Sequence, residues 1–153
     1  MTADFHKSSS HVQMQAEDMI FHKVEHILGM ELEKNKKLYL ADNAFKYIQP
    51  DFYSEADNVI GEIFAHIGKP KKAQDNKIAN DILKMLLLEK ITGKQFRKII
   101  AVCDDLERKK LQGQSVLAES IRQFGIEVMC IEIEDYMRNQ IMEAQEMQKM
   151  TNI

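Results

Sequence analysis

Apolar side chains recur along this chain with two different periods. A spacing of three or four residues, which is typical of helices that bury one face, runs through 12–34, 74–91, 115–124 and 134–150. The second of these segments carries apolar residues around much of its circumference, so we expect that helix to be largely buried. Gly93 follows it and predicts its end, because glycine readily adopts the left-handed conformation that closes a helix.

Between the first two helices the apolar runs are short and predict strands. Residues 50–53 and 59–66 are rich in aromatic and β-branched side chains, and the polar turn 54–58 separates them. This pattern predicts a β-hairpin. Shorter strand-like runs at 37–40 and 44–48 lead into it, so we expect three antiparallel segments after the first helix.

Two further runs, 97–103 and 126–133, predict buried strands that alternate with the later helices. Strands joined by hairpins pair antiparallel, whereas strands joined through helices pair parallel. The order of elements therefore predicts an α/β sandwich, with a central mixed sheet of about five strands flanked by helices.

The length of 153 residues suits one domain with a full core. We expect a flexible amino-terminal segment at 1–11, a single domain at 12–133, and a carboxyl-terminal amphipathic helix at 134–153. That last helix would pack on the domain or on a second subunit, so a homodimer is possible.

Composition and charge narrow the function classes. The net charge is only −3, which argues against a protein held to DNA by bulk electrostatics but leaves room for a local basic surface. No apolar run approaches the length that spans a bilayer, so we expect no membrane partner and a cytoplasmic location. Cys103 and Cys130 lie in strand-like runs and are expected to be reduced, buried and inert thiols.

Glu62 is a carboxylate inside the apolar run 59–66. Burying an ionised group there is costly unless the group is paired or holds a metal. Asp51 on the partner strand is the expected companion, and two carboxylates on adjacent strands are the hard oxygen ligands that a magnesium-type ion takes. The alternative is structural: Asp51 would end its strand in an Asx turn, and Glu62 would pair with a lysine at the rim of the sheet.

The helix that follows carries a line of polar side chains on one face, spaced by three and four residues. Its members are Gln74, Lys77, Asp81 and Lys84. A lysine in the first turn opposes the helix dipole, which favours a functional role for Lys77. An ion pair between Lys77 and Asp81 is the alternative explanation.

Lysines also gather where the hairpin ends. Lys69, Lys71 and Lys72 fall within the segment 68–72, which breaks the strand. A solvated loop accounts for them, and contact with a phosphate backbone is the functional alternative.

In this order of elements the chain resembles the PD-(D/E)XK phosphodiesterase superfamily, which has the restriction-endonuclease-like fold. The resemblance covers about 17–133 and rests on Pro50-Asp51 at the entry of one core strand, Gly61-Glu62 in the next, and Glu25 in the first helix. It implies an α-β-β-β-α-β core, here followed by a carboxyl-terminal α-β-α extension.

The resemblance implies a metal-dependent nuclease that hydrolyses phosphodiester bonds in nucleic acid, with DNA as the favoured substrate. By analogy with the family, Asp51 and Glu62 would bind Mg²⁺ or Mn²⁺ and Glu25 would support them. The same analogy implies in-line attack of an activated water on the phosphate.

In that family a lysine two residues after the strand acid orients or deprotonates the attacking water. The matching position here is Phe64, which departs from the pattern. Some members supply the lysine from the next helix, and Lys77 looks like such a migrated residue, with Gln74 beside it to orient the water.

Two other interpretations compete with the nuclease. A protein that keeps the nuclease-like fold as an inactive interaction scaffold would use Asp51 and Glu62 for structure alone. The second is a zinc peptidase site, because His22, Glu25 and His26 match the H-x-x-E-H pattern on the first helix.

Overall fold

The computed structural model of the chain describes residues 2–40 and 47–151, with side chains described within 10–40 and 47–150. The helices of this part are α1 (Thr2–Leu28), α2 (Lys72–Thr92), α3 (Asp105–Leu111), α4 (Val116–Gln123) and α5 (Asp135–Thr151). Its strands are β1 (Glu33–Lys34), β2 (Phe52–Ser54), β3 (Val59–Phe64), β4 (Arg97–Val102) and β5 (Ile126–Cys130).

The strands form one mixed sheet in the order β1-β2-β3-β4-β5. β1, β2 and β3 pair antiparallel, and β3, β4 and β5 pair parallel. The predicted α/β class and the five-stranded mixed sheet are therefore confirmed. The change of direction occurs at β3, where the connection passes from a hairpin to a helical crossover through α2.

The predicted hairpin is present, with β2 paired to β3. Its turn is stabilised by the hydroxyl of Ser54, which accepts a hydrogen bond from the Asp57 backbone N–H at 3.1 Å. Asn58 closes the turn with a φ of 51°, a left-handed conformation that asparagine tolerates better than most residues.

Side chains of β3 point alternately into two apolar layers, one on each face of the sheet. The layer that includes α1 and α5 contains Ile20, Val24, Ile63, Met137 and Ile141. The layer that includes α2 contains Ile60, Phe64, Ile78, Ile82 and Met85. The carboxyl-terminal helix thus packs on its own chain, one of the two placements expected for it.

The first helix has different bounds from those predicted. α1 begins at Thr2 rather than near residue 12, so helical backbone covers most of the segment 1–11 that we expected to be flexible. It ends at Leu28, because Gly29 adopts a φ of 66° and its N–H bonds to the Glu25 carbonyl at 2.8 Å. β1 then occupies Glu33–Lys34, within the stretch predicted as helix.

The strands predicted at 37–40 and 44–48 are wrong for the described residues. Leu38 and Ile48 form only an isolated antiparallel bridge, and 41–46 lie outside the described part of the chain. Cys103 is buried as expected, whereas Cys130 is exposed. Residues 107–110 belong to α3, a helix between the predicted elements. Acidic residues in its first turn and basic residues in its last turn suit the helix dipole.

The second helix is buried on one face only, so the expectation of a largely buried helix was wrong. Ile78, Ile82 and Met85 pack on the sheet, whereas Leu83 and Leu87 are exposed within the described structure. Since leucines lie all around the helix, the sequence pattern could not show which face meets the sheet.

Gly61 of β3 lies directly against the ring of Phe52 on the neighbouring strand. A Cβ atom at this position would overlap the end of that ring. We therefore predict that Gly61→Ala lowers the free energy of unfolding by about 1–3 kcal/mol, the usual cost of overpacking a core. Chemical denaturation measures the change. In a Phe52→Leu background, which removes the outer ring atoms, the same substitution should cost less, and an equal cost would contradict the clash.

Candidate active site

Asp51 and Glu62 meet across the antiparallel pair of β2 and β3. Phe52 is opposite Gly61 in the register of these strands, and one step further Asp51 faces Glu62. The Asp51 Oδ2 atom accepts a hydrogen bond from the Ile63 N–H at 2.7 Å, which fixes its carboxylate on β3. The structure thus brings together the two acids singled out in the sequence, and they share a hydrogen bond.

Lys84 of α2 is the cation that contacts this pair. Its Nζ atom lies 3.1 Å from Oε1 of Glu62 and 2.8 Å from Oδ1 of Asp81. Glu62 is only 3% exposed, and the half-exposed side chain of Lys84 connects it to the surface. The sequence had placed Lys84 on the polar line of this helix without assigning it a role.

Asp81 is the third acid of the cluster and is 5% exposed. Its Oδ1 atom contacts Lys84, but its Oδ2 atom is buried with no hydrogen-bond partner. A buried carboxylate oxygen without a partner is costly, so this atom is available to a ligand. Asp81 comes close to β3 because α2 packs on the sheet through the neighbouring residues Ile78, Ile82 and Met85.

The pKa values of Glu62 and Asp81 are raised, and burial is the main cause. Desolvation, reinforced by the charge of Asp51 and the hydrogen bond with it, raises the pKa of Glu62 to about 9. Burial also raises the pKa of Asp81, although Lys84 opposes this shift. Burial disfavours the charged form of Lys84 and so lowers its pKa, but the contacts with Asp81 and Glu62 raise the pKa above its ordinary value. The lysine is therefore held in its charged form.

Lys77 and Gln74 lie further towards the start of α2. The Nζ atom of Lys77 is 5.2 Å from the centroid of the Phe64 ring, so the cation lies over the residue that occupies the usual lysine position. The charge of Lys77, like that of Lys84, opposes the increase in the pKa of Asp81. Gln74 accepts a hydrogen bond from the Lys71 N–H at 3.2 Å and caps the helix. Lys84, rather than Lys77, makes the ion pair with Glu62.

Glu25 does not join the pair on the sheet. Its Oε2 atom accepts a hydrogen bond from the Leu32 N–H at 2.9 Å, and its Oε1 atom lies 3.1 Å from Nδ1 of His22. These contacts close the turn between α1 and β1. Within residues 10–40 and 47–150, no group of three or more His, Cys, Asp or Glu side chains is arranged to hold a metal ion.

That finding bears on both predicted metal sites. The set Asp51, Glu62 and Glu25 is not assembled as one cluster, and neither is a zinc site at His22 and His26, whose side chains are exposed. The signal that could have pointed to Asp81 and Lys84 instead was their place on the polar face of α2.

Lys69 and Lys71 lie in the connection from β3 to α2, Lys72 is the first residue of α2, and all three are exposed. None of them forms an ion pair with a described residue. The predicted nucleic-acid contacts are thus accessible cations close to the end of the strand that carries Glu62.

No protein-family model, curated protein or solved structure matches the chain. Among the described residues, no helix combines the length and apolar character needed to cross a bilayer.

The high pKa of Glu62 predicts how stability depends on pH in the absence of metal. The folded protein releases this proton near pH 9, whereas the unfolded chain releases it near 4.5. Stability should therefore fall as pH rises between these values, by at most about 1.4 kcal/mol per pH unit. Glu62→Gln should remove this slope, as measured by denaturation in EDTA across that range.

Glu119→Gln is the matched control, because Glu119 forms an exposed ion pair with Arg122 on α4. That variant should keep the pH slope of the wild type. Parallel curves for the wild type and Glu62→Gln would show that Glu62 is not the group responsible.

Proposed function

We propose that this protein is a metal-dependent phosphodiesterase that cleaves nucleic acid, with a restriction-endonuclease-like fold. The observation that carries the proposal is the buried pair of Asp51 and Glu62, contacted by Lys84 from the helix that follows. The order α1-β1-β2-β3-α2-β4, with three antiparallel strands and a parallel fourth, supports it because it matches the core order of that fold. Fold resemblance alone does not establish an activity, so the proposal rests on the residues of the site.

The donor atoms of the cluster suit a magnesium-type ion. Asp51 and Glu62 offer carboxylate oxygens from adjacent strands, which are the hard ligands that Mg²⁺ and Mn²⁺ take. Oδ2 of Asp81 has no hydrogen-bond partner, but the described residues hold no group of three or more acids arranged for a metal ion. Positive charge at this place would also relieve the repulsion that favours protonation of Glu62. When bound, the ion would supply Lewis-acid polarisation of the phosphate and an acidified water.

Lys84 is the residue best placed to act as the catalytic cation. Asp81 and Glu62 hold its ammonium group charged, and that charge would stabilise the negative charge that grows on the phosphate oxygens. Asp81 is then a positioning residue for the lysine as well as an oxygen donor. The half-buried Asp51 and half-exposed Lys84 are the two members of the site nearest to solvent.

Lys77 and Gln74 take supporting places in this proposal. Lys77 is exposed at the level of Phe64, where it would contact a substrate phosphate next to the site. The Gln74 carbonyl oxygen caps α2, which leaves its amide N–H₂ group to orient a water or phosphate oxygen.

An inactive scaffold is the alternative, and one observation favours it. Glu62, Lys84 and Asp81 already contact one another and join β3 to α2, so the cluster could serve folding alone. Cleavage activity separates the two proposals.

The lysines of α2 make the proposal testable. Lys84→Ala should lower the initial rate of DNA cleavage by about 100-fold or more, because it removes a charge aimed at the transition state. Lys77→Ala should lower the rate less than Lys84→Ala does. Lys90→Ala is the control and should leave the rate unchanged, because Lys90 lies at the far end of the same helix and forms no ion pair with a described residue. Rates would be measured on single-stranded, double-stranded and branched DNA with Mg²⁺ or Mn²⁺.

Glu62→Gln completes the series and should abolish metal-dependent cleavage. Equal activity of this variant and the wild type would remove Glu62 from the mechanism. A greater loss in Lys77→Ala than in Lys84→Ala would return the role of catalytic cation to Lys77. Thermal unfolding of each variant confirms that it is folded.

A further inference from the structure

Cations without an acidic partner are unevenly distributed in this protein. All four arginines of the sequence form ion pairs with carboxylates. Many lysines are paired in the same way, although the net charge of the chain is −3. Within the described side chains, the lysines that form no ion pair are Lys37, Lys69, Lys71, Lys72, Lys77, Lys90, Lys94 and Lys149. Four of these eight lysines, at positions 69, 71, 72 and 77, lie where β3 ends and α2 begins.

Three of these lysines line a cavity of about 440 Å³ between the loop 66–71 and the end of α5. They are Lys69 and Lys71 from the loop and Lys149 from the helix, and His66 lines the same space. Glu146 is the one acidic residue of the lining. Basic groups from two separate elements therefore converge on a cavity large enough for a phosphate group with its sugar.

The loop that forms one wall is held in place by side chains from outside it. Gln145 of α5 accepts a hydrogen bond from the Ile67 N–H at 3.0 Å and donates one to the Ile67 carbonyl at 2.8 Å. Asp104 accepts a hydrogen bond from the Gly68 N–H at 2.9 Å, and Arg138 holds Asp104 at 2.9 Å. These bonds preorganise the wall, which reduces the ordering cost of binding a ligand there.

His66, which lines the cavity, carries a ring nitrogen without a hydrogen-bond partner among the described residues. This atom, Nδ1, is buried. In the tautomer that carries a proton on Nδ1, this atom could donate a hydrogen bond to an oxygen of a bound anion.

We propose that this cavity binds a phosphate group of the nucleic-acid strand that the active site cleaves. This inference rests on the proposed function and names a subsite for it. His66 lies four residues beyond Glu62 and two beyond the end of β3, a separation of at most about 13 Å along extended backbone. The bound phosphate would therefore be a few nucleotides away from the scissile bond.

Binding of a labelled single-stranded DNA in EDTA tests the subsite separately from catalysis. Lys71→Ala/Lys149→Ala should weaken binding several-fold and reduce the slope of log K against log salt by about 0.7, the value for one single-strand phosphate. Lys90→Ala/Lys94→Ala removes the same charge at the far end of α2 and should change neither quantity. Lys71→Arg/Lys149→Arg should retain binding, because arginine keeps the charge.

Inorganic phosphate distinguishes a substrate phosphate from a free one. Amide NMR signals of Gly68 and Lys71 should shift on titration with phosphate in the wild type and not in Lys71→Ala/Lys149→Ala. If phosphate binds but the double alanine variant holds DNA as tightly as the wild type, the assignment to the substrate strand is overturned.

Equal weakening by the two alanine pairs would also overturn the proposal, because it would show an effect of net charge alone. Cleavage rates of the same proteins with Mg²⁺ provide the link to the proposed function. If no protein, including the wild type, cleaves DNA but the binding measurements come out as expected, the proposed nuclease is rejected and the phosphate subsite is retained.

Discussion

Burial of the Glu62 carboxyl group is the constraint on which the neighbouring structure depends. An ionised acid in the core is strongly destabilising unless other groups compensate it. Here burial and the hydrogen bond with Asp51 favour the protonated form of Glu62, and Lys84 contacts its carboxyl group. These partners belong to the entry of β2 and to α2. The network therefore joins the hairpin to the crossover helix, and any ligand that enters must exchange with these contacts.

Charge is organised along the line where β3 and α2 run side by side. The carboxyl groups of Glu62 and Asp81 contact Lys84. Two residues further along β3, Lys77 lies over the ring of Phe64. Beyond the strand, the lysines of the loop line the same cavity as His66. A chain with a net charge of −3 can therefore present a local basic surface next to a buried acidic centre. In the proposed function, the cations of this surface would bind a polyanion and the carboxylates would hold a metal at one phosphate.

Sequence patterns predicted the hairpin and the position of Glu62 within it, because turn chemistry and the two-residue period are local properties. They did not identify Lys84 as the partner of Glu62. Lys77 and Lys84 lie on the same face of α2, two turns apart, and spacing alone cannot show which turn lies beside Glu62. Asp81 was missed for the same reason: a polar line predicts a shared face, and only packing decides whether that face is buried.

By itself, then, the sequence determined the class of the fold, the hairpin, the end of α2 at Gly93 and the acidic pair on neighbouring strands. Each of these follows from residues close together in the chain. The tertiary structure decided which amine meets Glu62 and that lysines from the loop and from α5 share one cavity. These features depend on how α2 and α5 pack against the sheet, through contacts between residues far apart in the sequence, which local patterns do not encode.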